Sequence, residues 1–176
     1  MPRLSFLAVA AALLASGCDR SSAPTTPSGP QNRFVFTAAL LPSNERPNPV
    51  TNAEASGSGS VTITLNTTRD ANGVITAATM DFSATFNGFP PGTALTAAHI
   101  HSGDASTAGT VVVNPALSPG EVAFPNGSGS LAKNGVAVNP VDLANQILNN
   151  PAGFYFNVHT ALNPGGVARG QLVRTQ

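Results

Sequence analysis

The chain has 176 residues, room for one domain plus short processed or linking segments. Eight basic and eight acidic residues balance without a run of either sign, which leaves no electrostatic footprint for nucleic acid or anionic lipid. Charged residues are only 9% of the chain, against roughly 25% in an ordinary globular domain, so Thr, Ser, Asn, Gly and Ala must cover the surface, as in many secreted β proteins.

The N-terminus reads as an export signal rather than as part of the fold. Met1 to Arg3 is a short positive start, Leu4 to Leu14 is apolar apart from Ser5, and the small residues Ala15, Ser16 and Gly17 precede Cys18. That apolar run is far shorter than the roughly 20 residues of a membrane-spanning helix. Cys18 is the only cysteine, so no internal disulfide forms. Leu14-Ala15-Ser16-Gly17-Cys18 resembles the lipobox of bacterial lipoproteins, which implies cleavage after residue 17, acylation of Cys18 and an anchor in the membrane. The expected location is the cell membrane or outer membrane, facing the periplasm or exterior. Residues 18–33, with three prolines between Asp19 and Arg33 and no large apolar side chain, read as a disordered tether.

From residue 34 to 176 the pattern is that of one all-β domain. Phe34, Phe36, Ala38 and Leu40 alternate, and after the turn-rich stretch Pro42 to Gly59 so do Val61, Ile63 and Leu65. Asp70-Ala71-Asn72-Gly73 supplies a hairpin turn, and Val74 to Phe86 returns with Met80, Phe82, Ala84 and Phe86 inward. Ala94 to His101 and Thr110 to Val113 are further strands, with others around Gly120 to Phe124 and Gly129 to Ala132. Between Asn139 and Asn150 the period changes: Asn139 can cap, Pro140 suits the first helical position, and Leu143, Ala144, Ile147 and Leu148 recur at helical spacing. Phe154, Phe156 and Val158 alternate with Tyr155, Asn157 and His159, and a last strand covers Val167 to Arg174. The expected fold is an antiparallel, Greek-key-like β-sandwich with one short helix near the C-terminal strands.

All three histidines of the chain fall in two blocks, Ala98-His99-Ile100-His101-Ser102-Gly103 and Phe154-Tyr155-Phe156-Asn157-Val158-His159-Thr160. With the following Asn163-Pro164-Gly165-Gly166 and Arg169-Gly170-Gln171-Leu172, these blocks resemble the signature of the CHRD domain family, named from repeats in chordin and present alone in many bacterial exported proteins. The resemblance runs from about Phe34 to the C-terminus. It implies an extracytoplasmic β-sandwich and leaves the biochemical role open.

On a strand His99 and His101 share one face, with Ile100 on the other, and His159 shares a face with Tyr155 and Asn157. If the two strands pair, three neutral imidazoles can converge, a donor set for copper or zinc. The alternative is a structural network in which the histidines bond turn backbone and one another, with Tyr155, Asn157, Thr160 and Arg169 as neighbours. Arg169 could fork to a carboxylate such as Asp104 or Asp81. The strand His-x-His also resembles that of copper-zinc superoxide dismutase, but the bridging cluster, the fourth copper histidine and the disulfide are missing.

No catalytic residue stands out. Gly-x-Ser-x-Gly, phosphate-loop and His-Glu-x-x-His motifs are absent, the eight carboxylates are scattered singletons, and with no tryptophan and one tyrosine the chain lacks the usual platforms for sugars. The reading is a non-enzymatic, lipid-anchored structural or binding module of the cell envelope, without a cofactor unless the histidines take copper or zinc. Its partners would be the membrane, through acylated Cys18, and an unidentified protein or glycan.

Overall fold

The computed structural model describes residues 32–176, so the signal segment, Cys18 and nearly all of the tether lie outside the described residues. The β-branched and aromatic alternation read above builds β1 (Arg33–Leu40), β2 (Ser58–Arg69) and β3 (Ile75–Asn87), in which the expected apolar set is buried throughout. The β2–β3 hairpin is closed by Asp70, whose Oδ1 accepts from the backbone N–H groups of Asn72 and Val74 at 2.9 Å each, while Gly73 takes the positive φ of 82°.

The chain then enters a second sheet through β4 (Thr93–Ser102), the short β5 (Val111–Val113) and β6 (Ala123–Phe124), and returns to the first through β7 (Gly129–Ala137). β7 outruns the expected Gly129 to Ala132 because Asp81 Oδ1 accepts from Gly135 N–H at 2.8 Å, bridging the register irregularity that Lys133-Asn134-Gly135 introduces against β3.

The helix α1 (Asp142–Asn149) starts later than expected. Asn139 does not cap it; the residue ahead of it is Val141, with no side-chain cap, and Asp142 sits in the first turn where a negative charge suits the helix dipole. Leu143, Ala144 and Ile147 form its buried stripe.

The chain closes with β8 (Phe154–Thr160), β9 (Ala168–Gln171) and β10 (Val173–Arg174). The last strand is therefore two, because the chain changes sheets at the buried Leu172.

All pairings are antiparallel, in the orders β10-β1-β2-β3-β7 and β5-β4-β8-β9, with β6 on β4. The chain alternates between sheets, giving an interleaved, Greek-key-like sandwich. Phe82 of one sheet meets Phe156 of the other with ring centroids 5.7 Å apart, and Phe86, Phe89 and Phe124 fill one end. Along one edge Leu41, just past β1, exchanges backbone hydrogen bonds with Arg169 of β9, so the sheets are stitched there as well as packed.

A three-histidine cluster beneath loops

Every residue of β8 is buried, on both faces. Phe154, Phe156 and Val158 enter the core between the sheets. Tyr155, Asn157 and His159 point the other way, and loops cover them: the segment after β1, the β4–β5 loop and the β8–β9 loop all hydrogen-bond onto this face. The outer face of β8 is thus an enclosed polar layer, with His99 and His101 of β4 half-buried beside it.

β4 and β8 are neighbours, with Ala97 opposite His159, His99 opposite Asn157 and His101 opposite Tyr155. This register brings the three imidazoles together, and one nitrogen from each lies within 4.8 Å of the others. His99 Nδ1 is 3.1 Å from His159 Nε2. His101 Nδ1 is 3.0 Å from the Gly109 carbonyl and His159 Nδ1 is 2.9 Å from the Pro164 carbonyl.

Those partners settle the tautomers. A carbonyl only accepts, so Nδ1 carries the proton in His101 and His159, and their Nε2 atoms carry lone pairs. His99 Nδ1 then donates to His159 Nε2. The Nε2 of His101 is buried with no hydrogen-bond partner.

All three rings are held neutral. Burial, then the charges His159 and His101 would carry, pushes His99 down to about 4. Burial likewise lowers His101, opposed by its Gly109 bond and reinforced by the charge of Arg169. It lowers His159, opposed by the Pro164 bond and reinforced by His101.

Behind the histidines the polar residues form two groups. In the first, the Tyr155 ring is parallel to that of His101 within 8° at 4.9 Å, and its hydroxyl accepts from Gly109 N–H at 3.1 Å. The Arg169 guanidinium, on the strand beyond, stands 3.6 Å from the Tyr155 ring centroid.

Arg169 is 1% exposed, yet it forks to no carboxylate. It donates to the Thr107 carbonyl at 2.9 Å, the Asp104 carbonyl at 2.7 Å and Gln171 Oε1 at 3.1 Å. The expected carboxylates are engaged elsewhere: that of Asp104 accepts from Ser106 and Thr107 in its own turn, and that of Asp81 from Asn66 and Gly135. Neutral carbonyls replace them because the β4–β5 loop turns its backbone, not its side chains, toward the buried cation.

The second group was not visible as a site in the sequence. Glu45 and Glu54 come from the turn-rich segment after β1 and are 4% and 5% exposed. Asn157 Nδ2 donates to Glu45 Oε1 at 2.8 Å, and the Thr160 hydroxyl donates to Glu54 Oε2 at 2.6 Å, so Thr160 faces Glu54 rather than the histidines. Burial pushes the Glu45 carboxyl up to about 7, against the lowering influence of Arg169, Asn157 and Arg46. Acidic singletons among Pro and Asn carry no sequence signal for burial.

Two metal–nitrogen bonds of about 2.0–2.1 Å can span about 4.2 Å at most. Three nitrogens around one ion in trigonal or tetrahedral geometry lie closer still, about 3.4–3.6 Å apart, so a pair near the 4.8 Å limit must close by about 1 Å or slightly more to hold a copper or zinc ion, and His99 must move its proton if Nδ1 is the ligating nitrogen. Carbonyls that fix the far nitrogen of two of the three rings are the usual outer support of a histidine metal site. The same contacts also make the structural network anticipated above: the two readings share one geometry.

The CHRD domain model matches residues 36–172, more than half of the chain and nearly the whole described fold, and the chain belongs to that family. No curated protein and no solved structure matches it.

Proposed function

We propose that this CHRD-family chain is a non-enzymatic, exported lipoprotein whose domain binds a copper or zinc ion through His99, His101 and His159. The observation that carries the reading is His101 Nε2, a buried lone pair without a partner in a cluster of three neutral imidazoles. Leaving a buried acceptor unpaired costs roughly 1–3 kcal/mol, and a metal ion would remove that cost. The fold contributes the rest: β4 and β8 set the ring spacing, and the carbonyls of Gly109 and Pro164 hold His101 and His159 in the tautomer that presents Nε2. Cys18 holds the domain at the membrane through its acyl chains, with residues 18–33 as the spacer. A dismutase-like copper centre would draw on a fourth histidine, and the chain contains three.

The test is calorimetric titration of the full chain in detergent with zinc and with copper, repeated on the His99→Ala, His101→Ala double variant. One ion per chain, lost in the variant, is the expected result. At free metal of 100 times Kd, the mass-action gain is about 2.7 kcal/mol, or roughly 5–10 °C in Tm for a domain of this size. Absence of binding, or binding retained in the double variant, returns the histidines to a purely structural role.

A further inference from the structure

The charges around the cluster bear on which ion it takes. None of the three ligands is a carboxylate, and the second contacts of His101 and His159 are carbonyl oxygens, so the first and second layers carry no negative charge. On the β8–β9 side a positive charge acts on the cluster. Arg169 lies against Tyr155, Tyr155 lies against His101, and the guanidinium bonds only to neutral oxygens. Register confirms the order: Tyr155 pairs with His101 on one side and with Gln171 on the other, and Arg169 sits two residues before Gln171 on that strand. Glu45 is the one buried carboxylate that faces Arg169, and its proton is held unusually tightly, so it offsets the cation only in part near neutral pH. Glu54 is tied to Thr160 and Asn163, and the Asp104 carboxylate is in an exposed turn.

We propose that the cluster is a cuprous site, selecting Cu(I) over Cu(II) and Zn(II) because a buried arginine stacked behind a ligating histidine penalises each added unit of positive charge. This rests on the metal-binding reading above and narrows it to one oxidation state. A monovalent ion adds one charge to the enclosed layer, where a divalent ion adds two. At an effective dielectric near 20 and a separation of about two stacked rings, one unit charge alters affinity by roughly tenfold to thirtyfold. Three-coordinate imidazole also leaves the d¹⁰ cuprous ion satisfied without a further ligand, whereas cupric ion prefers a tetragonal set that the three rings do not supply.

The experiment is a pair of competition titrations on the full chain in detergent, with a cuprous chelator under reductant and with a cupric chelator in air, and zinc measured alongside. Cu(I) is expected to bind at least tenfold more tightly than Cu(II), which places the copper couple at least about 59 mV above that of the aqueous ion. Arg169→Gln, which keeps a donor to the loop carbonyls and removes the charge, should shrink the ratio by about tenfold; the wild-type ratio stands as the primary readout should that variant fail to fold. Equal or tighter binding of Cu(II) than of Cu(I), or of Zn(II) than of Cu(I), overturns the inference and leaves the metal-binding reading intact. No binding of any of the three ions overturns both. Cuprous binding that survives in the His99→Ala, His101→Ala variant overturns the assignment to this cluster.

Discussion

Gly109 links the loop to the cluster, and replacing it with alanine tests whether that link matters. Its carbonyl accepts from His101 Nδ1 at 3.0 Å and its N–H donates to the Tyr155 hydroxyl at 3.1 Å. A methyl group at this position would overlap the Ser102 carbonyl oxygen and stand 2.6 Å from its carbon, a distance that Cβ atoms essentially never adopt. The Ser102 side cannot yield, since Ser102 N–H donates to the Thr110 carbonyl at 3.0 Å and Ser102 belongs to β4. The loop must retreat instead. Both Gly109 hydrogen bonds are then lost or stretched, at about 1 kcal/mol each, and residual overpacking adds about 1–2 kcal/mol. The total is about 3–4 kcal/mol, roughly 6–16 °C in Tm, with metal affinity down by about 10- to 100-fold because the ring loses the contact that orients it. Calorimetric unfolding and metal titration of Gly109→Ala measure both effects. A variant that melts within 2 °C of the wild type and binds metal as tightly, two degrees being roughly the span of 0.5–1 kcal/mol, would refute the claim that the β4–β5 loop orients His101.

Glu45 gives a pH dependence of defined sign. Its carboxyl is raised from 4.5 to about 7, so the folded state binds the proton more tightly than the unfolded state. Its contribution is fully present below pH 4.5 and is lost as pH rises to about 7, by at most about 3 kcal/mol at 1.36 kcal/mol per pH unit. Glu45→Gln should show a flatter stability curve in urea melts between pH 4.5 and 7.5, and parallel curves for the two proteins would show that Glu45 titrates normally. For the anchor, Cys18→Ser should abolish incorporation of labelled fatty acid and release the protein from the membrane fraction in a bacterial host; label retained in the variant would remove the lipoprotein reading.

The strands that face the core were legible because their side chains obey one rule. In β1, in β2 and in β3 from Ala78 onward the buried residues alternate with residues that are not, so a period of two describes these strands. β8 obeys it only on the inner face. Tyr155, Asn157 and His159 alternate correctly with the apolar set and are nevertheless buried, because loops from distant parts of the chain fold over them. Local periodicity cannot report a cover contributed by residues more than 100 positions away, such as Glu45 on Asn157. The same limit applies to Arg169. Its sequence context shows that a cation follows a glycine-rich turn, but the choice of backbone carbonyls over carboxylates is made by a loop some 60 residues earlier. The histidines were legible as a pair and a singleton, and what the structure adds is the two-residue offset in register that places His159 opposite Ala97 and beside His99.

That cover explains why a chain so poor in charge buries any of it. The charged residues below one-tenth exposure among the described residues are Glu45, Glu54 and Arg169, and all three lie beneath the loops over β8. None is in an ion pair within 4.0 Å, the one such pair among the described residues being Lys133 with Glu121 at the surface. Buried charges bonded only to neutral groups are a poor way to gain stability, and apolar replacements of similar volume are often neutral or better. What this arrangement does provide is position: Arg169 holds the Asp104–Thr107 loop, that loop delivers Gly109 to His101 and Tyr155, and Glu45 and Glu54 fasten the segment after β1 to Asn157, Thr160 and Asn163. Under the metal-binding proposal, the physical demand they meet is that of three imidazoles kept neutral, oriented and close together.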